Sequence, residues 1–221
     1  MLSKTRIKVI SFDMDGTLVP TDFVDAVWLE GIPSLYAKKH KISFEKAYEI
    51  VTRAYNEVGE HRIEWYYLDY WLKRFDLKIT KKELFNMYKD KVKIYKDAEH
   101  VIKFLSNRYT LIVSSNAEKD FIWFQLKPLL PYFHHVFSAT SDLKEVKKSQ
   151  EFYGKVCELL KVAPEETVHI GDHPVFDYLN PRKIGINAFL LNRNQHKIGL
   201  KVNSLKNLKE ILDLLNFKLC S

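Results

Sequence analysis

The stretch VISFDMDGTLVP, residues 9–20, decides the fold. It starts with an apolar run typical of a buried strand, places Asp13 and Asp15 one residue apart, and turns at Gly16. Two carboxylates this close favour opposite protonation states. The pair therefore predicts covalent chemistry on a phosphate ester, with Asp13 as nucleophile and Asp15 as general acid/base. The simpler alternative is an Asp-Gly turn that caps its own backbone.

Short apolar runs rich in β-branched and aromatic residues recur along the chain and alternate with helical patterns. The predicted strands are 7–12, 109–114, 135–138, 167–170 and 187–191. The predicted helices that alternate with them are 97–107, 118–130, 149–161, 174–184 and 203–217. Because parallel strands need a crossover, this alternation predicts an α/β fold with a doubly wound parallel sheet.

The interval from about 20 to 95 breaks the alternation, since it shows helical periodicity and no strand signal. Ser43 and Thr80 are typical helix N-caps, and Glu83, three residues after Thr80, suggests a capping box. The expected domains are a core of residues 1–19 and 95–221 and a smaller helical domain of residues 20–94.

Later strands are also followed by polar side chains, at the sheet edge where open α/β folds bind ligands. In IVSSNA, residues 112–117, Ser115 is preferred to Ser114 as the hydroxyl that holds a phosphoryl oxygen. Asn116 and the start of the next helix are predicted to supply further donors. The alternative is that Ser115 or Asn116 only caps that helix.

A lysine pair lies in EVKKSQEFYGK, residues 145–155. A cation there would offset the charge of a phosphoryl group and of nearby acids. Lys148, directly before the serine that starts a helix, is preferred to Lys147. The alternative is a solvated side chain, which is usual for lysine in a chain with 35 Lys and Arg.

The last motif is HIGDHPVFD, residues 169–177, with Asp172 after a strand and a glycine and Asp177 five residues later. Carboxylate oxygens suit Mg²⁺, and Asp172 is predicted as a direct ligand. Asp177 is predicted to ligate directly, through water, or to pair with the lysine. His173 is expected to line the loop, because Mg²⁺ prefers oxygen. A turn with a helix cap is again the alternative.

These four motifs depend on one another, because an anionic nucleophile attacking an anionic phosphate needs a divalent cation and a lysine to offset the repulsion. In this order the motifs resemble those of the haloacid dehalogenase superfamily of phosphohydrolases and phosphotransferases. The resemblance covers residues 5–20 and 95–215, and the helical insert resembles that family's cap. It departs at two loops: no proline follows the lysine motif, and Phe176 replaces a residue that is polar in many members.

The resemblance implies a Rossmann-like core with an α-helical cap. By this resemblance, Asp13 is the nucleophile and a metal ligand, and Asp15 is the general acid/base and contacts the metal through its backbone carbonyl. Phosphate binding is implied for Ser115, Asn116 and Lys148. Metal binding is implied for Asp172 and Asp177.

We expect a Mg²⁺-dependent phosphatase that acts on a small phosphorylated metabolite. The family's dehalogenases lack an aspartate two residues after the nucleophile, so Asp15 argues against that activity. Phosphonate hydrolysis and phosphomutase chemistry stay open. Two non-catalytic alternatives are a phospho-acceptor signalling module and a structural or nucleic-acid-binding protein with a degenerate site.

Specificity is expected to depend on the insert. Asp22 is one candidate for a substrate contact, and His61 or Arg62 in the turn GEHR is another. The alternative for that turn is simple solvation. The aromatic residues between 65 and 75 are expected to pack mostly inside the insert, with a dimer surface as a further possibility.

Composition excludes several classes of protein. Apolar residues make up 46% and charged residues 29%, as in globular proteins, and no tract approaches the roughly 18 apolar residues of a membrane span. Cys157 and Cys220 fit neither a disulfide framework nor a zinc site, which favours a cytoplasmic location. The net charge of +7 comes from lysines interspersed with glutamates. We expect no nucleic-acid or membrane partner, and a monomer or homodimer.

Overall fold

The computed structural model describes residues 6–193 and 201–202. Its strands are β1 Val9–Phe12, β2 Thr110–Ser115, β3 His135–Ser138, β4 Thr167–Gly171, β5 Asn187–Leu191 and β6 Lys201–Val202. They form one parallel sheet in the order β3-β2-β1-β4-β5-β6. The five predicted strands are present, β6 is an additional one, and the predicted α/β class with a parallel sheet is confirmed.

The α-helices are α1 Asp22–Asp25, α2 Ile32–His40, α3 Phe44–Val58, α4 Leu68–Arg74, α5 Lys81–Met87, α6 Lys96–Leu105, α7 Lys119–Gln125, α8 Ala139–Asp142, α9 Gln150–Leu160 and α10 Asn180–Lys183. Two segments are π-helical, Ala26–Gly31 and Pro174–Leu179. The predicted helix 203–217 lies outside the described residues. Within the part of the chain that is described, no helix is both long enough and apolar enough to cross a bilayer.

Strand β1 is buried along its whole length, because helices cover both faces of the sheet. Ile10 and Phe12 point to one face and share a core cluster with residues of α6 and α7. Val9 points to the other face and packs with residues of α9. The period-2 alternation of a strand thus supplies two cores, as a doubly wound sheet requires.

Pro20–Lys93 forms one compact unit, and the described residues on either side of it form another. The helical unit starts at residue 20, as the predicted helical domain does, and ends at residue 93 rather than 94. That it works as a separate cap stays a prediction. Its helices begin at the expected N-caps: Ser43 accepts a bond from the Lys46 N–H, and Thr80 and Glu83 form a capping box.

Helical periodicity runs through residues 63–75 of the insert, but the structure interrupts the helix at Tyr67, whose backbone is extended. A 3₁₀ turn, Ile63–Tyr66, comes before this break and α4 comes after it. The interruption allows the indole N–H of the fully buried Trp71 to donate to the carbonyl of Trp65 at 3.1 Å. A continuous helix would have used that carbonyl within its own ladder. Burial of Trp71 against Tyr55 agrees with packing inside the insert.

A buried polar network crosses the centre of the sheet. The imidazole of His169 on β4 lies 2.8 Å from the Ser11 hydroxyl through Nδ1, and 3.0 Å from the Tyr153 hydroxyl through Nε2. The hydroxyls of Ser11 and Ser114 are 2.9 Å apart, and the Tyr153 hydroxyl donates to the carbonyl of Phe176 at 2.8 Å. Buried polar groups need such partners to offset the cost of leaving water.

Burial lowers the pKa of His169 below its usual value of 6.5, although contacts with Asp177 act in the opposite direction. The folded protein therefore binds fewer protons at this site than the unfolded chain does. Stability from a neutral His169 is complete above pH 6.5 and declines as the pH falls through that value.

We predict that His169→Gln removes part of the loss of stability on acidification. In the presence of a metal chelator, the free energy of unfolding should fall less between pH 7.5 and about 5.5 in the variant than in the wild type. One titrating group contributes a slope of at most about 1.4 kcal/mol per pH unit. Denaturant unfolding at several pH values measures the free energy of unfolding of both proteins. The contributions of acidic groups that both proteins share largely cancel in the difference between them. Replacement of the exposed His100 by Gln is the matched control, and equal slopes for wild type and His169→Gln would contradict the prediction.

Candidate active site

The turn after β1 folds tightly around one carbonyl group. The Asp13 N–H continues the sheet by donating to the Ile170 carbonyl at 2.8 Å. The carbonyl of Met14 then accepts N–H bonds from three residues that follow it, Thr17, Leu18 and Val19. This compact turn holds the side chain of Asp13 at the carboxyl edge of the sheet.

Two glycines make room for two carboxylates. Gly16 has a φ of +74°, and a Cβ there would lie 2.2 Å from an oxygen of Asp172. A Cβ on Gly171 would lie 2.3 Å from the carboxyl carbon of Asp177. Any larger residue at either position would have to displace the carboxylate, so the glycines are needed for close approach as well as for turning.

Three predicted site residues from the first and last motifs meet at this edge. Asp13, Asp172 and Asp177 each place a carboxylate oxygen within 4.8 Å of the others. Asp13 and Asp177 are buried, whereas Asp172 is exposed. Such a cluster concentrates negative charge in a small volume and needs a cation beside it.

Lys148 supplies one positive charge to this cluster. Its ammonium group is buried, forms ion pairs with Asp13 and Asp177, and donates to the carbonyl of Ser114 at 3.1 Å. The neighbouring Lys147 instead places its ammonium group 5.2 Å from the centre of the Phe176 ring. Between the two lysines, the structure thus puts the preferred one, Lys148, beside the predicted nucleophile.

The pKa values follow from this packing. Burial raises the pKa of Asp13 well above its usual value, against the pull of Lys148, and the charges of Asp177 and Asp172 raise it further. Burial also acts to raise the pKa of Asp177, but Lys148 and His169 outweigh it and hold that pKa below its usual value. Burial would lower the pKa of Lys148, yet the two carboxylates raise it. Lys148 and Asp177 therefore form a stable charged pair beside Asp13.

Asp172 completes a donor set that fits a divalent cation. Its packing and the charge of Asp177 raise its pKa to about 6. The ammonium group of Lys148 pairs with two of the three carboxylates, so the cluster carries excess negative charge when it is fully ionised. Oxygen donors with excess negative charge are the environment that Mg²⁺ and similar hard cations prefer.

The loop after β2 is braced from several sides. The Ser115 hydroxyl accepts a bond from the Ala117 N–H at 3.1 Å, and the side-chain oxygen of Asn116 accepts one from the Lys148 N–H at 2.7 Å. Thr140 donates to the carbonyl of Asn116 at 3.0 Å. Asn116 thus holds the lysine loop in place, and Ser115 orders its own turn rather than capping α7. Direct phosphate contacts by Ser115 and Asn116 stay predictions.

Asp15 is not one of the three clustered carboxylates, and its side chain contacts α7. One of its carboxylate oxygens accepts a hydrogen bond from the side-chain amide of Gln125 at 3.3 Å. Asp13 pairs with Lys148 and Asp15 contacts Gln125, so the two carboxylates of this turn have different partners. Its roles as general acid/base and as a backbone metal contact stay predictions.

Several residues around the site are absent from the sequence-based predictions. Ser11 and His169 interrupt the otherwise apolar runs VISF and TVHI, and a polar residue in a fully buried strand is the signal that indicates a hidden partner. Tyr153 and Gln125 give no comparable signal, because each lies in a helix where one polar face is ordinary.

Arg193 is a further residue that the sequence does not reveal. Its guanidinium donates to the carbonyl of Thr17 at 2.7 Å and forms two hydrogen bonds with Asp97, at 3.1 and 3.2 Å. The guanidinium carbon also lies 3.7 Å from the centre of the Tyr95 ring, on which the group stacks. Arg193 thereby fixes the end of the Asp-Met-Asp-Gly-Thr turn to the start of α6.

Two of the three predicted substrate contacts of the insert, Asp22 and Arg62, have protein partners within that unit. The side chain of Asp22 pairs with Lys93 at 3.2 Å, and Arg62 pairs with Glu64 at 2.7 Å. Both Arg62 and His61 are exposed, as the alternative of a solvated turn expects. Contact between any of the three residues and a substrate stays a prediction.

Comparisons with solved structures agree with this fold. A haloacid dehalogenase-like phosphatase from Thermococcus onnurineus superimposes with a TM-score of 0.80 at 26% sequence identity, covering 93% of this chain and 98% of that one. A 2-haloacid dehalogenase from Pseudomonas syringae gives a TM-score of 0.68 at 23% identity, covering 94% and 99% of the two chains. At that identity the second likeness concerns the fold alone.

Curated relatives give two different extents of match. The glyceraldehyde 3-phosphate phosphatase of Pyrococcus furiosus is 25% identical over 193 residues, covering 82% of this chain and 79% of that protein. The GMP/IMP nucleotidase YrfG of Escherichia coli is 32% identical over 73 residues, which span 33% of this chain and 32% of its own length. The family model for haloacid dehalogenase-like hydrolases matches residues 7–185. The predicted resemblance is confirmed, and the chain belongs to the haloacid dehalogenase-like hydrolase family.

Proposed function

We propose that this hydrolase is a Mg²⁺-dependent phosphatase that cleaves a small phosphomonoester through a phosphoryl group carried by Asp13. The observation that carries the proposal is the meeting of Asp13, Lys148, Asp172 and Asp177 at one edge of the sheet. Asp15, two residues after Asp13, supplies a second carboxylate outside that cluster. A nucleophile, a cation, a metal-binding carboxylate pair and an acid/base are the groups that phosphoryl transfer through a carboxylate requires.

In the first step, a carboxylate oxygen of Asp13 bonds to phosphorus while the bond from phosphorus to the ester oxygen breaks. Protonated Asp15 gives its proton to that departing oxygen. The products are a free alcohol and a phosphoryl group on Asp13. Lys148, already paired with Asp13, favours the ionised form of the nucleophile and offsets charge on the phosphoryl oxygens.

In the second step, a water molecule attacks phosphorus and Asp15 accepts one of its protons. The bond between phosphorus and the Asp13 oxygen breaks, which releases inorganic phosphate. Asp13 returns to a carboxylate and Asp15 to its acid form. The two steps together consume one water and conserve every proton.

The three clustered carboxylates would hold the cation, with Asp177 shared between that site and Lys148. A bound Mg²⁺ would supply Lewis acidity at the phosphoryl group and offset repulsion between it and Asp13. The excess negative charge of the cluster supports this assignment.

Two relatives suggest the chemical class of the substrate. Both the Pyrococcus phosphatase and the Escherichia nucleotidase are named for reactions on phosphomonoesters of small metabolites. The Pyrococcus match covers about four fifths of each chain, whereas the nucleotidase match covers about a third. We therefore place sugar phosphates with a short carbon chain ahead of purine nucleotides. Asp15 disfavours dehalogenation, because the family's dehalogenases lack an aspartate two residues after the nucleophile.

We predict that Asp13→Asn abolishes turnover, because an amide cannot attack phosphorus or carry the phosphoryl group. The measurement is phosphate release from a panel of triose phosphates, hexose phosphates and nucleoside monophosphates, with Mg²⁺ and with chelator. Glu158→Gln, at an exposed acid on α9, is the matched control and should keep wild-type activity. Full activity in Asp13→Asn would rule out the covalent mechanism, and halide release from 2-haloacids would redirect the assignment.

Asp15→Asn should slow turnover by about 10²-fold to 10⁴-fold, because the variant can neither protonate the leaving oxygen nor activate water. Acid quenching during turnover of an aryl phosphate should trap more phosphoryl adduct on the Asp13 peptide than in the wild type. Mass spectrometry of that peptide gives the readout. An unchanged adduct level together with unchanged turnover would exclude the acid/base role.

Asp172→Asn should weaken Mg²⁺ binding by about tenfold or more, since loss of even an outer partner of a metal ligand costs about 10-fold to 100-fold. Mg²⁺ affinity in the wild type should also fall as the pH is lowered through about 6, where protons compete for the Asp172 carboxylate. Calorimetric titration with MgCl₂ measures both effects, with Glu158→Gln as the control. Equal affinities in Asp172→Asn and in the wild type would remove Asp172 from the metal site.

A further inference from the structure

We propose that Gln125 is a positioning residue for the general acid/base, and that its side-chain amide fixes the carboxylate of Asp15 for proton transfer. The inference deepens the proposed phosphatase mechanism and rests on it. It concerns a residue of α7 that lies 110 positions away from Asp15 in sequence.

The geometry places the amide directly on the acid. Nε2 of Gln125 donates to Oδ1 of Asp15 at 3.3 Å and lies 3.9 Å from the sulfur of Met14. Gln125 is fully buried, at the last position of α7. A carboxylate held by a buried donor has fewer orientations available than one that is held only by water.

The surroundings give no packing reason for an amide at this position. Ile122, one turn earlier on α7, and Leu126, the residue that follows Gln125, both belong to the apolar core cluster that also includes Met14. An amide in such surroundings costs free energy that an apolar side chain would not. The contact with Asp15 is the polar interaction that offsets this cost.

The amide is also only half used. Among the described residues, the Oε1 atom of Gln125 is buried and has no hydrogen-bond partner. An unsatisfied buried acceptor is a further cost, and native proteins keep few of them outside functional sites. This second observation is independent of the Asp15 contact and indicates a residue that is retained for function rather than for stability.

A free acceptor beside the donor suits both forms of Asp15. An ionised carboxylate accepts from Nε2, and the structure shows the corresponding contact between Nε2 and Oδ1. A protonated carboxyl has an O–H to donate, and rotation of the amide by half a turn presents Oε1 to it. The proposed steps use Asp15 in each form, and one amide holds both in the same place.

Gln125→Met is the decisive variant. Methionine has nearly the same length and volume as glutamine but neither donates nor accepts strongly, so the packing is kept while the contact is lost. The unfolding midpoint should be retained or raised, because an unsatisfied polar group is removed from the core. A purely structural role for Gln125 predicts the opposite change in stability.

The kinetic readout is the dependence on the leaving group. An alkyl phosphate needs protonation of its departing oxygen, whereas p-nitrophenyl phosphate leaves as a stable anion and needs little. Gln125→Met should lower kcat/KM for the best alkyl phosphate by about 10-fold to 100-fold, and for p-nitrophenyl phosphate by less than about threefold. The comparison uses kcat/KM because that constant reports transfer to Asp13 and excludes the later hydrolysis.

Two comparisons test whether Gln125 acts through Asp15. In the Asp15→Asn background, Gln125→Met should cause less than about a twofold further loss of kcat/KM, since the group that it positions is already gone. Leu126→Met, a volume-conserving change at the adjacent buried position, should leave both substrates unaffected. Gln125→Leu, which also lacks a donor and an acceptor, should show the same selective loss and serves if the methionine variant cannot be recovered folded.

The outcomes separate the two levels of inference. If the wild type releases phosphate from both substrates and Gln125→Met loses nothing, or loses equally on both, the positioning role is overturned and the phosphatase assignment stands. An additive loss in the Asp15→Asn background would likewise overturn it. If the wild type releases no phosphate from any ester, the proposed function fails, and the inference about Gln125 fails with it.

Discussion

The site depends on a buried lysine held between two buried carboxylates. Lys148 joins the end of β1, through Asp13, to the π-helical segment after β4, through Asp177, and it also donates to the end of β2 at Ser114. Three parallel strands are thus tied at their carboxyl ends by one ammonium group. Removing either partner of such a pair leaves an uncompensated charge in the interior, which costs much more than an exposed ion pair contributes.

The polar network around Asp177 fixes the orientation of the carboxylate that pairs with Lys148. Asp177 accepts bonds from the His173 N–H at 2.9 Å and lies 3.1 Å from Nε2 of His169, so its carboxylate is held on both oxygens. His169 is in turn fixed by Ser11 and Tyr153. An apolar sheet centre would cost less to bury, so these groups are best explained by what they hold in place.

Much of the fold and part of the site follow from the sequence alone. Parallel strands end at a common edge, so motifs that follow the strands are expected to converge there, and the carboxylates of Asp13 and Asp172 do. The choice of Lys148 came from its place directly before Ser149, which caps α9. The residues that support the site through hydrogen bonds cannot be predicted in this way, because a bond between residues as far apart as Ser11 and His169 leaves no local pattern in the sequence. The helix break at Tyr67 cannot be predicted for a related reason, because a tertiary contact of the Trp71 indole outweighs the helical periodicity of the sequence.

Steric requirements set the motif spacing as much as chemistry does. Gly16 lies against Asp172, and Gly171 lies against Asp177, so each glycine makes room for a carboxylate of the last motif. An alanine at Gly16 would push Asp172 away, even though Gly16 itself carries no reactive group. The two glycines and the two acidic motifs therefore form one unit that must be kept together. A chain that kept all the carboxylates but lost either glycine would keep the reactive groups and lose the distance of under 5 Å over which they cooperate.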